Sequence, residues 1–168
     1  EPLGGECMRV LLVVPRYSRK FGTFYQFPLG LGYIASSVLD AGHELRVVNL
    51  NHLRISEAEA LREVCEDFQP QVCATGGLSV FVEQISTILD LCRTYAPDAV
   101  NIVGGGIVSG APEEILEIVS ADYGVVNEGE QTIQELLAAI ESGREAIEVT
   151  GLVFMSPEGR SIFTGDRP

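Results

Sequence analysis

Between Arg9 and Pro15 the chain runs Val10-Leu11-Leu12-Val13-Val14 without a polar residue. A strand with one wet face would alternate apolar and polar positions. An unbroken Val/Leu run instead demands cover on both faces, as in a parallel sheet with helices above and below it. The rest of the sequence supplies that cover in series. Residues 29–41 read as a helix stopped by Gly42, and Glu44–Asn49 as a second strand. Ser56, with Glu59 three residues on, is a capping-box start for a helix to about Phe68, which Pro70 closes. Residues 71–75 read as a third strand. Val82–Tyr95 is a helix with Ile85, Ile88, Leu89 and Cys92 on one face, and residues 99–103 are a fourth strand. Residues 113–119, 123–126 and 131–141 continue as helix, strand and helix, with Pro112 and two glutamates opening the first of these. Residues 151–155 and 160–163, around a turn at 156–159, read as a β-hairpin.

Successive β-α units with right-handed crossovers predict an α/β fold. It is a doubly wound, five-stranded parallel sheet of Rossmann-like or flavodoxin-like order 2-1-3-4-5, with helices on both faces and a C-terminal β-hairpin. Residues 9–147 form that domain, 148–168 the hairpin and a lead-in to whatever follows, and 1–8 a leader or expression remnant. A ligand crevice is expected where the winding reverses, above the C-terminal ends of strands 1 and 3. The least usual loops fall there. Residues 16–28 make a thirteen-residue connection holding Tyr17, Phe21, Phe24, Tyr25 and Phe27 among Arg16, Arg19 and Lys20; a loop of that length in a compact domain is commonly functional. Thr75-Gly76-Gly77-Leu78-Ser79 follows strand 3, Gly104-Gly105-Gly106 follows strand 4, and Glu128-Gly129 turns into the last helix. Glycines at strand ends let something approach the backbone closely. Replacing Gly105 by valine is expected to weaken binding there and to leave the fold largely intact.

Eleven basic against twenty-four acidic residues give a net charge of −13, which repels phosphate backbones and makes nucleic acid a poor partner. No apolar run reaches the roughly 20 residues of a membrane span, and no signal-peptide pattern is present, so a cytoplasmic location is expected. Cys7, Cys65, Cys73 and Cys92 form no C-x-x-C pair and are expected to be buried or incidental thiols scattered over different elements. His43 is expected in a surface turn on the edge away from the crevice, and His52 on the crevice edge but one strand from the switch point. Glu128 and Glu130 suit either ligand contact or the helix dipole. No side chain stands out as general acid, base or nucleophile, and no metal ligand set is evident.

Pro28-Leu29-Gly30-Leu31-Gly32-Tyr33-Ile34-Ala35, Ala41-Gly42-His43-Glu44, the stretch 104–114, and Asp122-Tyr123 through Glu128-Gly129-Glu130 together resemble the N-terminal cobalamin (B12)-binding domain of cobalamin-dependent radical SAM enzymes. The resemblance runs from about Arg9 to Pro168. It implies a cobalamin-binding module of a radical SAM enzyme, a methyltransferase or related catalyst, in which the cofactor carries the chemistry and this domain binds and orients it. By the same resemblance the loop holding Arg16, Tyr17 and Phe24 covers one face of the corrin. Thr75, Gly76, Gly77, Leu78, Ser79, Gly104, Gly105, Gly106, Glu128 and Gly129 line the cleft for the nucleotide tail. The D-x-H-x-x-G motif of methyl-carrier cobalamin proteins is missing, which implies base-off cobalamin without a histidine ligand. S-adenosylmethionine and a 4Fe-4S iron-sulfur cluster would belong to a downstream barrel of the same polypeptide. Its C-x-x-x-C-x-x-C motif does not occur in these 168 residues, so the chain alone is not expected to be catalytic.

Two other classes share parts of this pattern. A structural docking domain that has lost cobalamin would keep the fold, and cofactor content would separate the two. A phosphorylated signalling receiver would need an acidic pair after strand 1 and an aspartate ending strand 3, where this chain has Pro15-Arg16 and Thr75-Gly76. A nicotinamide-binding domain would need G-x-G-x-x-G after strand 1, which is absent.

Overall fold

A computed structural model describes residues 7–18, 20 and 25–167. Its elements are β1 (Arg9–Val14), α1 (Leu29–Asp40), β2 (Glu44–Asn49), α2 (Glu57–Phe68), β3 (Val72–Gly76), α3 (Val82–Tyr95), β4 (Val100–Gly104), α4 (Gly106–Ser109), α5 (Ile115–Ile118), β5 (Tyr123–Val125), α6 (Glu130–Ser142), β6 (Leu152–Met155) and β7 (Ser161–Phe163). The strands form one sheet in the order β2-β1-β3-β4-β5-β6-β7. The first five are parallel, in the expected 2-1-3-4-5 order. The sheet has seven strands and not five, because the hairpin does not stand apart: β6 pairs antiparallel with β5, Tyr123 opposite Phe154. That pairing covers the edge of β5. Gly124 makes it possible, since a Cβ there would lie 2.5 Å from the Val153 side chain.

The period of two in β1 sorts the core into layers. Val10, Leu12 and Val14 pack under α1 and α6 with Leu31, Val38, Ile133, Leu136 and Leu137. Leu11 and Val13 face the other way, against Leu61, Val64 and Cys65 of α2 and Ile88 and Cys92 of α3. A third cluster joins Ile85, Leu89, Val103, Ile107 and Ile115 beneath the short helices. The Ser56 cap forms as expected, accepting from the Glu59 backbone N–H at 3.1 Å, and Gly42 ends α1 with φ +88°.

Two expectations are corrected. The helix at 113–119 shrinks to Ile115–Ile118, and Pro112 through Glu114 form a turn before it. The preceding glycines instead open the one-turn helix α4. His43 is buried at 9% exposure, not a surface turn residue, and its Nδ1 accepts from the Met8 backbone N–H at 3.3 Å. Cys65, Cys73 and Cys92 are buried as expected, and from their three different elements they meet in one core cluster. There the neighbouring thiols of Cys65 and Cys92, and after them burial, push the Cys73 thiol up.

Candidate functional site

Above the C-terminal ends of β1, β3, β4 and β5 lies a cavity of about 440 Å³, within the roughly 300–1,000 Å³ typical of small-ligand sites. It sits where the winding reverses, as a doubly wound sheet requires. Its deep surface is aliphatic: Leu12, Ala74, Ile102, Val125 and Ile133 are each at most 5% exposed. Thr75 lines it too, but its hydroxyl donates to the Val13 carbonyl at 2.8 Å and is thereby committed to the sheet. One side wall is the first two turns of α1, with Pro28, Gly30, Leu31, Tyr33 and Ile34. The other is the β5-to-α6 turn, with Asn127, Glu128, Gly129 and Glu130.

The glycines of the β3 and β4 loops serve each other as well as the cavity. Gly77 N–H donates to the Gly104 carbonyl at 3.2 Å, and Ile107 N–H to the Gly77 carbonyl at 2.9 Å, so the two loops interlock. A Cβ on Gly76 would strike the Gly104 carbonyl, and one on Gly105 would stand 3.0 Å from the Gly77 oxygen. Gly105 also has φ +87° and ψ −166°, a backbone region open essentially to glycine alone. The close approach expected at the triple glycine is therefore made first by the chain itself. This overturns the expectation that Gly105→Val would leave the fold intact. Gly30 differs: a Cβ there meets nothing within 4 Å, so its missing side chain is open space on the cavity wall. Gly129 is a cradle, because a Cβ would press at 3.0 Å on Ile34 and Val125, two walls of the cavity.

Of the sequence-derived site residues, Thr75, Gly76, Gly77, Leu78, Gly104, Gly105, Gly106, Glu128 and Gly129 come together on this cavity. Ser79 does not line it; it begins the 3-10 turn Ser79–Phe81 that leads into α3. Arg16 is also elsewhere. Its Nη2 donates to the carbonyls of Ile55 (2.9 Å) and Leu53 (3.3 Å), and its Nε lies 3.9 Å from Glu57, which ties the segment before α2 to the end of β1. Tyr17 packs edge-on against Phe81 at 4.7 Å and 5.7 Å from Tyr25. Burial, and after it the neighbouring Tyr25, pushes its phenol up from the ordinary value. Tyr17, Tyr25, Gln26 and Phe81 form a second, shallower hollow that shares Pro28, Gly77 and Leu78 with the main cavity. Phe24 lies outside the described residues.

Sequence reasoning missed the α1 wall and Asn127. The run Pro28–Tyr33 was visible as a motif, but nothing local in it points toward the cavity. Asn127 takes φ +59°, receives support at its N–H from the Ser109 hydroxyl (2.8 Å), and donates from Nδ2 to Asp166 at 3.0 Å. His52 is bound to the Tyr25 hydroxyl at 2.9 Å, outside the cavity, and His43 lies at the opposite end of the sheet. Among the described residues, no three or more His, Cys, Asp or Glu converge as a metal site. No helix among them is long and apolar enough to cross a membrane.

The family model "B12 binding domain" matches residues 23–137, more than half of the chain. The chain belongs to the B12-binding domain family. This B12-binding domain is 27% identical over 154 residues to "Uncharacterized methyltransferase PH0819" of Pyrococcus horikoshii, covering 88% of this chain and 32% of that protein. It is 28% identical over 135 residues to "Hopanoid C-3 methylase" of Methylococcus capsulatus, covering 79% and 26%. It superposes with a TM-score of 0.80 and 26% identity on the radical S-adenosylmethionine methyltransferase TsrM of Kitasatospora setae, covering 91% of this chain and 29% of that one. The domain thus spans about a quarter to a third of these relatives' lengths.

Proposed function

We propose that this B12-binding domain seats cobalamin base-off, with the nucleotide tail in the 440 Å³ cavity and no histidine on cobalt, as the cofactor module of a radical SAM methyltransferase. The observation that carries the proposal is the cavity itself. A flat, apolar heterocycle on a flexible tether matches a deep aliphatic slot walled by glycines, and the residues present fit it because Gly30 leaves open space on its wall. Bound cobalamin supplies methyl-transfer chemistry. The chain's own residues bind the tail, exclude water from it with Leu12, Ile102 and Ile133, and orient the corrin at the mouth. There Leu78 is 60% exposed and Tyr33 58%, which leaves both free to contact the corrin.

The names of the two curated relatives above and of TsrM favour methyl transfer, and the share of their length that this domain leaves unmatched is where a radical SAM barrel would lie. Neither histidine lines the cavity, which supports base-off binding without protein imidazole.

Two measurements test this together. Hydroxocobalamin mixed with the protein should show the absorption change of benzimidazole leaving cobalt. Gly30→Leu, whose side chain has open space to enter, should weaken binding at least about tenfold with unchanged circular dichroism, the loss expected when most of a buried apolar group's burial is forfeited. An unchanged spectrum at saturating protein, or equal affinity in a folded Gly30→Leu variant, refutes the placement.

A further inference from the structure

We infer that the cavity selects the chemistry of the cofactor's lower base. It accepts a base whose distal edge is hydrocarbon and discriminates against one carrying a polar group there. The inference rests on the tail-in-cavity placement proposed above and concerns what that placement does to different corrinoids. The tail is tethered to the corrin through its ribose and phosphate, so the ribose-linked edge of the base stays toward the mouth and the distal edge goes deepest. The deepest surface is Leu12, Ala74, Ile102, Val125 and Ile133, none of which carries a side-chain donor or acceptor. Thr75, which lies beside them, gives its hydroxyl proton to the Val13 carbonyl at 2.8 Å and has no donor left to offer. Polar side chains begin only at the rim, with Asn127, Glu128 and Glu130.

A distal edge bearing methyl groups gains from leaving water against such a floor. One bearing a hydroxyl, or the exocyclic amine of a purine, gives up its hydrogen bonds to water and meets no polar side chain on this aliphatic floor to replace them. The backbone does not readily substitute. The Gly104 carbonyl already accepts from Gly77 N–H and the Gly77 carbonyl from Ile107 N–H, so each of these oxygens has one of its two lone pairs committed to the fold. The floor residues are therefore specificity-determining for the base, separately from whatever holds the corrin.

The test compares apparent Kd values, by absorbance titration of the purified protein, for three corrinoids. These are cobalamin, the cobamide with 5-hydroxybenzimidazole as its base, and cobinamide, which lacks the tail. The two benzimidazoles bind cobalt through the same ring nitrogen, so displacing them costs nearly the same and the comparison isolates the distal edge. The expected result is that the hydroxylated cobamide binds about tenfold more weakly than cobalamin, about 1.4 kcal/mol. Cobinamide should also bind more weakly than cobalamin. Val125→Thr, which puts a hydroxyl on the floor at nearly constant volume, should narrow the gap between the two benzimidazoles. If the two bind equally well while cobinamide is weaker, the tail occupies the cavity but the selectivity is overturned. If cobinamide binds as tightly as cobalamin, the tail placement itself fails, and the selectivity with it. The wild-type comparison decides even if Val125→Thr does not fold.

Discussion

Two glycines on the same cavity should respond to alanine with opposite signs. Gly105 has φ +87° and ψ −166°, a region whose occupation by an L-residue costs on the order of 1–3 kcal/mol. Its new Cβ would also stand 3.0 Å from the Gly77 oxygen and 3.1 Å from the Gly77 nitrogen. Both are backbone atoms, fixed by the bonds Gly77 N–H to Gly104 and Ile107 N–H to Gly77, so the neighbour cannot yield as a flexible side chain would. A destabilisation of about 2 kcal/mol in a chain of this size lowers Tm by roughly 4–8 °C. Gly30 lies in the first turn of α1 with no atom within 4 Å of its Cβ position. Alanine there removes glycine's unfolded-state entropy and should stabilise by up to about 0.5–1 kcal/mol. The assay is thermal and urea denaturation of both variants beside the wild type, followed by circular dichroism. Gly105→Ala as stable as the wild type would refute the account of the interlocked β3 and β4 loops. Gly30→Ala destabilised by more than about 1 kcal/mol would refute the claim that its Cβ direction is free space.

Other expectations follow from individual contacts. His43→Ala and His52→Ala should both leave the spectrum of bound cobalamin unchanged, since neither ring lines the cavity; nitrogen superhyperfine splitting from a protein imidazole in the Co(II) resonance spectrum would contradict this. Arg167 grips Glu135 through Nη1 (3.2 Å) and Nη2 (2.6 Å), which, foremost among its neighbours, holds the Glu135 carboxyl below its usual value. A carboxyl depressed in the folded state stabilises above its unfolded pKa and loses that contribution as pH falls through the folded value. Glu135→Gln should therefore be less stable than the wild type near neutrality, by about 0.5–1 kcal/mol for a partly exposed pair. The difference should vanish in acid, below the ordinary carboxylate range, and denaturation midpoints that differ equally at both pH values would contradict it. Finally, Cys7 is exposed while Cys65, Cys73 and Cys92 are buried, so a thiol reagent should modify one cysteine in the native protein and four after unfolding. Fast labelling of Cys73 in the native state would contradict the packing of that core.

The order of elements and the 2-1-3-4-5 winding were legible in the sequence because both rest on local regularities. Val10 through Val14 demand two covered faces, Ile85, Ile88, Leu89 and Cys92 repeat with the helical period, and the right-handed crossover leaves few windings to choose among. The resemblance to cobalamin-binding domains was legible for a similar reason, since glycine turns at strand ends keep their spacing along the chain. The tertiary structure alone decided what lies between those points. Arg16 bonds to Ile55 and Asn127 to Asp166, each across 39 residues, so no window of neighbouring sequence could tell that the first leaves the cavity or that the second stands on its wall. Gly76 and Gly105 read alike as openings for a ligand, but only the register that sets Gly76 beside Gly104 shows that the chain itself occupies the space their side chains would need. Periodicity is a property of successive residues and declares which face a side chain occupies. What that side chain meets across the fold depends on the packing of distant elements, and this is why the wall of α1, the buried His43 and the meeting of three cysteines came to light only in three dimensions.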